Sequence, residues 1–295
     1  MNSTIYKQKG PLFFFLIPAF TFMTLFLYYP FFMNIINSVS HISGLGTAAQ
    51  GLNDPLFTNF ETMIQDANMR VALKNSMIIL FCTVVFQVGI ALVLALIVDN
   101  ITKGAQFFRT VYFLPIVISA TALGLLFNLI FLYNGGMMNQ LFFGLEKDLY
   151  IDWKDQSHYL IALIAPVMWQ YVGFYFVILV TGLNNISTEI YEAARIDGAS
   201  TLVRIRYITL PLLRNVMCTC LVLSITGSLK VFDMPFIILP AGMPMDESWL
   251  LGTYMYHQTF NVNNVDYGSA IAIVIVVMGV AISKVANTVF KEVDY

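Results

Sequence analysis

Charge is scarce in this sequence. Asp, Glu, Lys and Arg make up 11% of its 295 residues, where a soluble domain carries about 25%. A chain that is 58% hydrophobic cannot cover itself with polar surface, so lipid must take the place of water over much of it. The net charge of -2 is too small to suggest nucleic acid or any strongly charged partner. Cysteine is equally sparse: Cys82, Cys218 and Cys220 fall in apolar runs and read as buried, unpaired thiols. No His or further Cys lies near the Cys218-Thr219-Cys220 stretch, so no metal site is expected. The histidines, His41, His158 and His257, are scattered, and no cluster of acids or metal ligands suggests a membrane-embedded transferase. No catalytic residue is assigned. A G-x-x-x-x-G-K-[ST] phosphate cradle is missing, and no Gly-Lys dipeptide occurs anywhere.

Long apolar runs are abundant. A helix needs about 20 apolar residues to cross the hydrocarbon layer. Six stretches meet or approach this, at about 12–36, 76–98, 111–133, 159–183, 216–238 and 267–282. The first is too long for a signal core and lacks a small-residue cleavage site, so it reads as a retained anchor. The fifth holds Lys230 and Asp233 and weakens beyond them, where Pro235 and Pro240 disfavour a continuous helix. The sixth is short, and extends past Lys284 if that side chain's stem reaches the interface. The expected class is all-α, an integral membrane protein of about six transmembrane helices. With no linker or soluble insert, residues 1–295 read as one membrane domain.

Orientation follows from Lys and Arg in the connections. With the N-terminus inside, Lys7, Lys9, Lys103, Arg109, Arg195, Arg204, Arg206, Arg214, Lys284 and Lys291 lie on the inner side. Only Arg70, Lys74, Lys147 and Lys154 lie outside. Both termini and the 184–214 loop are thereby expected in the cytoplasm.

That loop reads TEIYEAARIDGASTLVRIRYITLPLL. Thr188–Asp197 suits a short helix with early acids and Gly198 to stop it. Ser200 can cap a second helix running toward Arg206, until Pro211 introduces the fifth span. Ile190, Ala193 and Ala194 are expected to be exposed together. Such a surface either meets a protein partner or is simply solvated.

Glu192-Ala193-Ala194, three residues, Gly198, nine residues, then Ile208-Thr209-Leu210-Pro211 resembles the EAA signature of binding-protein-dependent ABC import permeases. The longer form YEAARIDGAS is similar to the carbohydrate-uptake branch, which is maltose- and glycerol-phosphate-permease-like. FFRTVYFLPIVISATALGLLF and FQVGIALVLALIVDN resemble that branch's third and second spans. LIPAF followed by YYP resembles the first span of the first-type subunit, the larger maltose permease-like one. One departure stands out: where members commonly carry T-G-G-G-P, this chain has Leu239-Pro240-Ala241-Gly242-Met243-Pro244.

The resemblance implies a type I ABC importer permease fold in a bacterial or archaeal cell membrane. It implies alternating access, with ATP and Mg bound only on partner subunits. The implied partners are a second related permease, two ATP-binding subunits, an extracellular solute-binding protein, a carbohydrate substrate and membrane lipid. Glu192, Ala193, Ala194, Asp197, Gly198, Ile208, Leu210 and Pro211 would form the ATPase-coupling loop. A stand-alone channel or secondary carrier would not require this loop.

Polar groups within the spans tend to face a bundle interior or a watery cavity. Gln87, Ser119, Thr121, Gln170, Tyr171, Ser224 and Ser228 fall at similar depth, with Gly227 beside the serines and Trp169 beside Gln170. The serines and Gly227 serve either helix packing or a solute path. Gln170 suits a hydrogen bond to a polyol and Tyr171 a cavity wall, although adjacent helix positions should not both face the cavity squarely. The family's solute site, near mid-membrane on spans three to five, supports a binding set of Gln170, Tyr171, Ser224, Gly227, Ser228, Trp169 and Ser119. Lys230 and Asp233, at i, i+3, are expected to form an ion pair or to touch the solute.

Overall fold

The computed structural model describes residues 9–101, 104–144, 146–243 and 246–290. Lys7, Lys103 and Lys291 of the charge argument lie outside the described residues, as do Pro244 and both ends of the expected 1–295 domain. In chain order the helices are α1 (Phe13–Ser38), α2 (Thr58–Gln65), α3 (Ala67–Asp99), α4 (Ala105–Val117) and α5 (Ala120–Ile130). There follow α6 (Met137–Phe143), α7 (Tyr159–Asn184), α8 (Thr188–Ile196), α9 (Thr201–Arg204) and α10 (Arg214–Leu229). The last are α11 (Asp233–Ile238), α12 (Leu251–Tyr256) and α13 (Val265–Phe290). A ribbon of two residues per strand, Ser40–His41 against Gly51–Leu52, is the sole sheet among the described residues.

Five helices, or six if α4 and α5 count as one span, are long and apolar enough to cross a membrane. The second and sixth spans are longer than expected, beginning at Ala67 and running to Val289 respectively. The third, expected to run unbroken over 111–133, is instead two helices bent by 92°. Ile118 and Ser119 take extended backbone between them. Pro115, lacking an N–H, already weakens the last turn of α4. Such a break survives in lipid only where protein or a cavity meets the freed backbone groups. Here Gln170 Nε2 donates to Ile118 O at 3.5 Å.

The chain divides into two compact units. One holds the residues up to Gln65 together with Met255–Val274. Its α1 presents Phe13, Phe14, Phe15 and Phe20 as exposed side chains, a surface suited to acyl chains. In this unit the buried Asp266 accepts from the Ile42 N–H (3.4 Å) and the Tyr267 N–H (2.9 Å).

The other unit, Asp66–Tyr254 with Ile275 onward, contains two separate apolar cores. Ile79 of α3, Leu123 of α5, Tyr159–Val167 of α7 and Met234 and Ile238 of α11 belong to the first core. Val88–Val98 of α3, Tyr175–Leu183 of α7 and Cys220 of α10 belong to the second. Close approach of α4 and α7 depends on Gly173, where a Cβ would strike the Tyr112 carbonyl. All three cysteines are free, but only Cys220 is fully buried; Cys82 and Cys218 are half-buried.

Candidate functional site

Three spans repeat one order: apolar core, polar residues, apolar core. Thr83 and Gln87 hold the middle of α3, Gln170 and Tyr171 that of α7, and Ser224 and Ser228 that of the Arg214–Ile238 span, which α10 and α11 share. A cavity of ≈ 280 Å³ opens at this level, lined by these six residues together with Gly227, Tyr175 and the 230–235 segment.

Each polar group reaches the cavity differently. A π turn over Thr83–Gln87 locally widens α3. Gln87 Nε2 donates to Val167 O (3.0 Å) and Met168 O (3.2 Å), which ties α3 to α7. Gln170 is 4% exposed, and with its amide nitrogen engaged at Ile118 its Oε1 has no partner among the described residues. Ser224 is 1% exposed, and its Oγ, which faces the Tyr175 hydroxyl, makes no hydrogen bond of ordinary length. Ser228 Oγ donates to Ile225 O of its own helix (2.9 Å). Buried polar atoms left unpaired cost about 1–3 kcal/mol each. Gln170 and Ser224 therefore hold unmet hydrogen-bonding capacity beside an open space.

Of the sequence-derived set, Gln170, Tyr171, Ser224, Gly227 and Ser228 line the cavity, and Trp169 and Ser119 do not. Trp169 is 46% exposed and meets Phe127 edge-on at 5.7 Å. Ser119 is exposed at the α4–α5 break, and Ala120 takes the lining position instead. Adjacent Gln170 and Tyr171 both border the cavity, Gln170 from the buried side and Tyr171 from the half-open one. Thr83 and Tyr175 were missed. Tyr175 lies four residues after Tyr171, a spacing that shares a helix face and could have disclosed it.

The expected Lys230–Asp233 ion pair is not formed. Its i, i+3 rule assumed one helix, whereas α10 stops at Leu229 and α11 starts at Asp233. The two charges therefore stand apart on the cavity wall, both exposed. Beyond the cavity, Lys154 Nζ donates to Asn128 Oδ1 (2.6 Å) and Asn128 Nδ2 to Ile237 O (3.2 Å), tying α5 to α11. Burial pushes the Lys154 ammonium down from its ordinary value, against the opposing pull of Asp152.

At the 184–214 loop, Ser187 caps α8 by accepting from the Glu189 N–H (3.2 Å). Gly198 ends it at φ 77, with Gly198 N–H donating to Arg195 O (3.1 Å) and Ala199 N–H to Ala194 O (2.9 Å). This is the paired closure that a left-handed glycine permits. Ile190 and Ala193 are exposed as expected, but Ala194 is buried; Glu192 and Asp197 are exposed as well. Its side of α8 is the one tied inward, where the Tyr191 and Thr209 hydroxyls meet at 3.1 Å. Ile196, at 87% exposure, and Leu202 supply more open apolar surface than Ala194 could. Ser200 sits at the α9 N-cap without a side-chain cap bond. From Ile205 a π turn carries Ile208 into Leu210–Leu212, leaving Ile208 and Leu210 half-buried and Pro211 exposed.

Comparison with known proteins bears on the family and the fold. Residues 103–292 match the family described as binding-protein-dependent transport system inner membrane component. The probable ABC transporter permease protein YurN of Bacillus subtilis (strain 168) is 33% identical over 281 residues, 94% of each chain. The arabinooligosaccharides transport system permease protein AraP of the same organism is 27% identical, covering 95% of this chain and 88% of that protein. A chain in the crystal structure of a bacterial alginate ABC transporter, in complex with an alginate pentasaccharide-bound periplasmic protein, shares the fold. Its TM-score is 0.82 at 22% identity, over 97% of this chain and 95% of that one. Spans, loop signature and matched relatives converge: this chain is a multi-pass membrane permease belonging to the binding-protein-dependent transport system inner membrane component family.

Proposed function

We propose that this chain is the transmembrane permease subunit of an ATP-driven carbohydrate importer, passing its solute through the mid-span cavity by alternating access. The observation that carries this reading is the buried Gln170 Oε1 and Ser224 Oγ beside that cavity, neither with a hydrogen-bond partner of ordinary length among the described residues. A hydroxyl-rich solute both donates and accepts, and so can pair with both groups from within the cavity. Tyr171, Phe174 and Tyr175 add aromatic faces against which sugar C–H groups can lie. The carbohydrates named for AraP and for the alginate transporter support the same substrate class.

On this reading the whole 1–295 chain acts as one permease domain beside a second, related permease. An extracellular solute-binding protein delivers cargo, and two ATP-binding subunits hold ATP and Mg. The 184–214 loop couples to them through Glu192, Ala193, Asp197, Gly198 and Pro211, with Ala194, Ile208 and Leu210 shaping the loop from within. Both termini and this loop face the cytoplasm.

The test is Gln170→Leu in the reconstituted importer. Sugar uptake is expected to fall about tenfold or more, since one unmet buried hydrogen bond carries about 1–3 kcal/mol. Assembly and basal ATP hydrolysis should stay at the parental level. Parental uptake by Gln170→Leu, and by Tyr171→Ala as well, would move the solute site off this subunit.

A further inference from the structure

The cavity wall carries two charges that the proposed function leaves unused. Lys230 follows the last residue of α10, Asp233 opens α11, and Val231 and Phe232 separate them in non-helical backbone. Neither side chain forms an ion pair or hydrogen bond with a described residue. Both line the same ≈ 280 Å³ cavity, within reach of solvent.

A cleft with low-dielectric walls focuses the field of such groups on whatever enters it. One cation and one anion, held apart by a break in the chain, leave the cavity with no net charge to offer a charged guest. An acidic sugar would gain at Lys230 but lose at Asp233, and would also shed its hydration. An amino sugar meets the reverse. A neutral diol satisfies both: one hydroxyl donates to the carboxylate and another accepts from the ammonium. Gln170 Oε1 and Ser224 Oγ, buried and unpartnered, offer the remaining neutral contacts.

We propose that Lys230 and Asp233 together form a charge filter that admits neutral polyhydroxy solutes and disfavours anionic and cationic ones. This rests on the reading of the cavity as the solute path.

The test measures the cavity's potential directly, in the complete reconstituted importer. Cys82, Cys218 and Cys220 are replaced by alanine, and Gly227→Cys supplies a reporter thiol where an added Cβ meets nothing within 4 Å. Two membrane-impermeant methanethiosulfonates of similar size, one a sulfonate and one a trimethylammonium, then compete for it. With the filter intact their rates, corrected for intrinsic reactivity, should be comparable. Asp233→Asn should raise the sulfonate-to-ammonium ratio about tenfold and Lys230→Met lower it about tenfold. The double variant, which restores neutrality, should return the ratio to the parental value; it keeps the test decisive if one single change weakens folding. A ratio unmoved by either charge, while the importer that keeps Gly227 still takes up sugar, overturns the filter and leaves the transport reading standing. A reporter inert to both reagents, with parental sugar uptake by Gln170→Leu and by Tyr171→Ala in importers that keep Gly227, overturns both.

Discussion

Gly173 and Gly227 do opposite jobs within one unit. A Cβ at Gly173 would collide with the Tyr112 carbonyl of the neighbouring helix, whereas one at Gly227 meets nothing within 4 Å. Gly173→Ala must therefore push two backbones apart, and overpacking of this kind costs about 1–3 kcal/mol. A lower midpoint of thermal aggregation in detergent is expected. Gly227→Ala should leave that midpoint unchanged while reducing uptake, because the methyl occupies solute space. Equal midpoints for the two variants would show that the α4–α7 contact is looser than described. Single positions were read from sequence with uneven success. Gln170 was legible because a planar amide in an apolar run has few uses besides meeting another polar group. Trp169, its neighbour, does not line the cavity, because one residue turns a helix by about 100° and carries the ring to Phe127 instead.

Elements read well where local chemistry decides them. The cap Ser187, the stop at Gly198 and the helix between them follow from residues within a dozen positions of each other. Breaks inside spans read poorly. The 92° bend after α4 and the interruption after Leu229 are decided by what the freed backbone groups meet in space, and hydropathy carries no record of that. The π turn at Thr83–Gln87 is hidden in the same way. Gly198 provides the sharpest test at this scale. Its φ of 77 lies where a β-branched residue is strongly penalised and Asn is tolerated, while the space around it is open. Gly198→Val should insert and assemble normally in the membrane but lose most solute-stimulated ATP hydrolysis. Gly198→Asn should retain most of it. Full stimulation in the valine variant would detach this helix end from coupling.

For the whole molecule, the number of spans and the membrane class were legible from hydropathy alone, because lipid admits few alternatives to the closed helix. Orientation rests on the Lys and Arg bias, and impermeant thiol reagents can check it. A cysteine at Tyr150 should react from outside only and one at Ser200 from inside only. The reverse pattern would place the 184–214 loop out of reach of any cytoplasmic ATPase. Invisible in the sequence was the division of the larger unit into two apolar cores with a polar level between them. Hydropathy averages over a span, and this pattern lives in matched depths on three of them. Its consequence is evolutionary. Gln170, Tyr171, Ser224, Gly227, Ser228, Lys230 and Asp233 line the cavity yet belong to neither core. With the cavity as the proposed solute path, substitutions among them would change what it recognises while disturbing little of the packing that holds the protein together. Lineages can thus exchange one cargo for another by drift at a few positions, with the scaffold inherited unaltered.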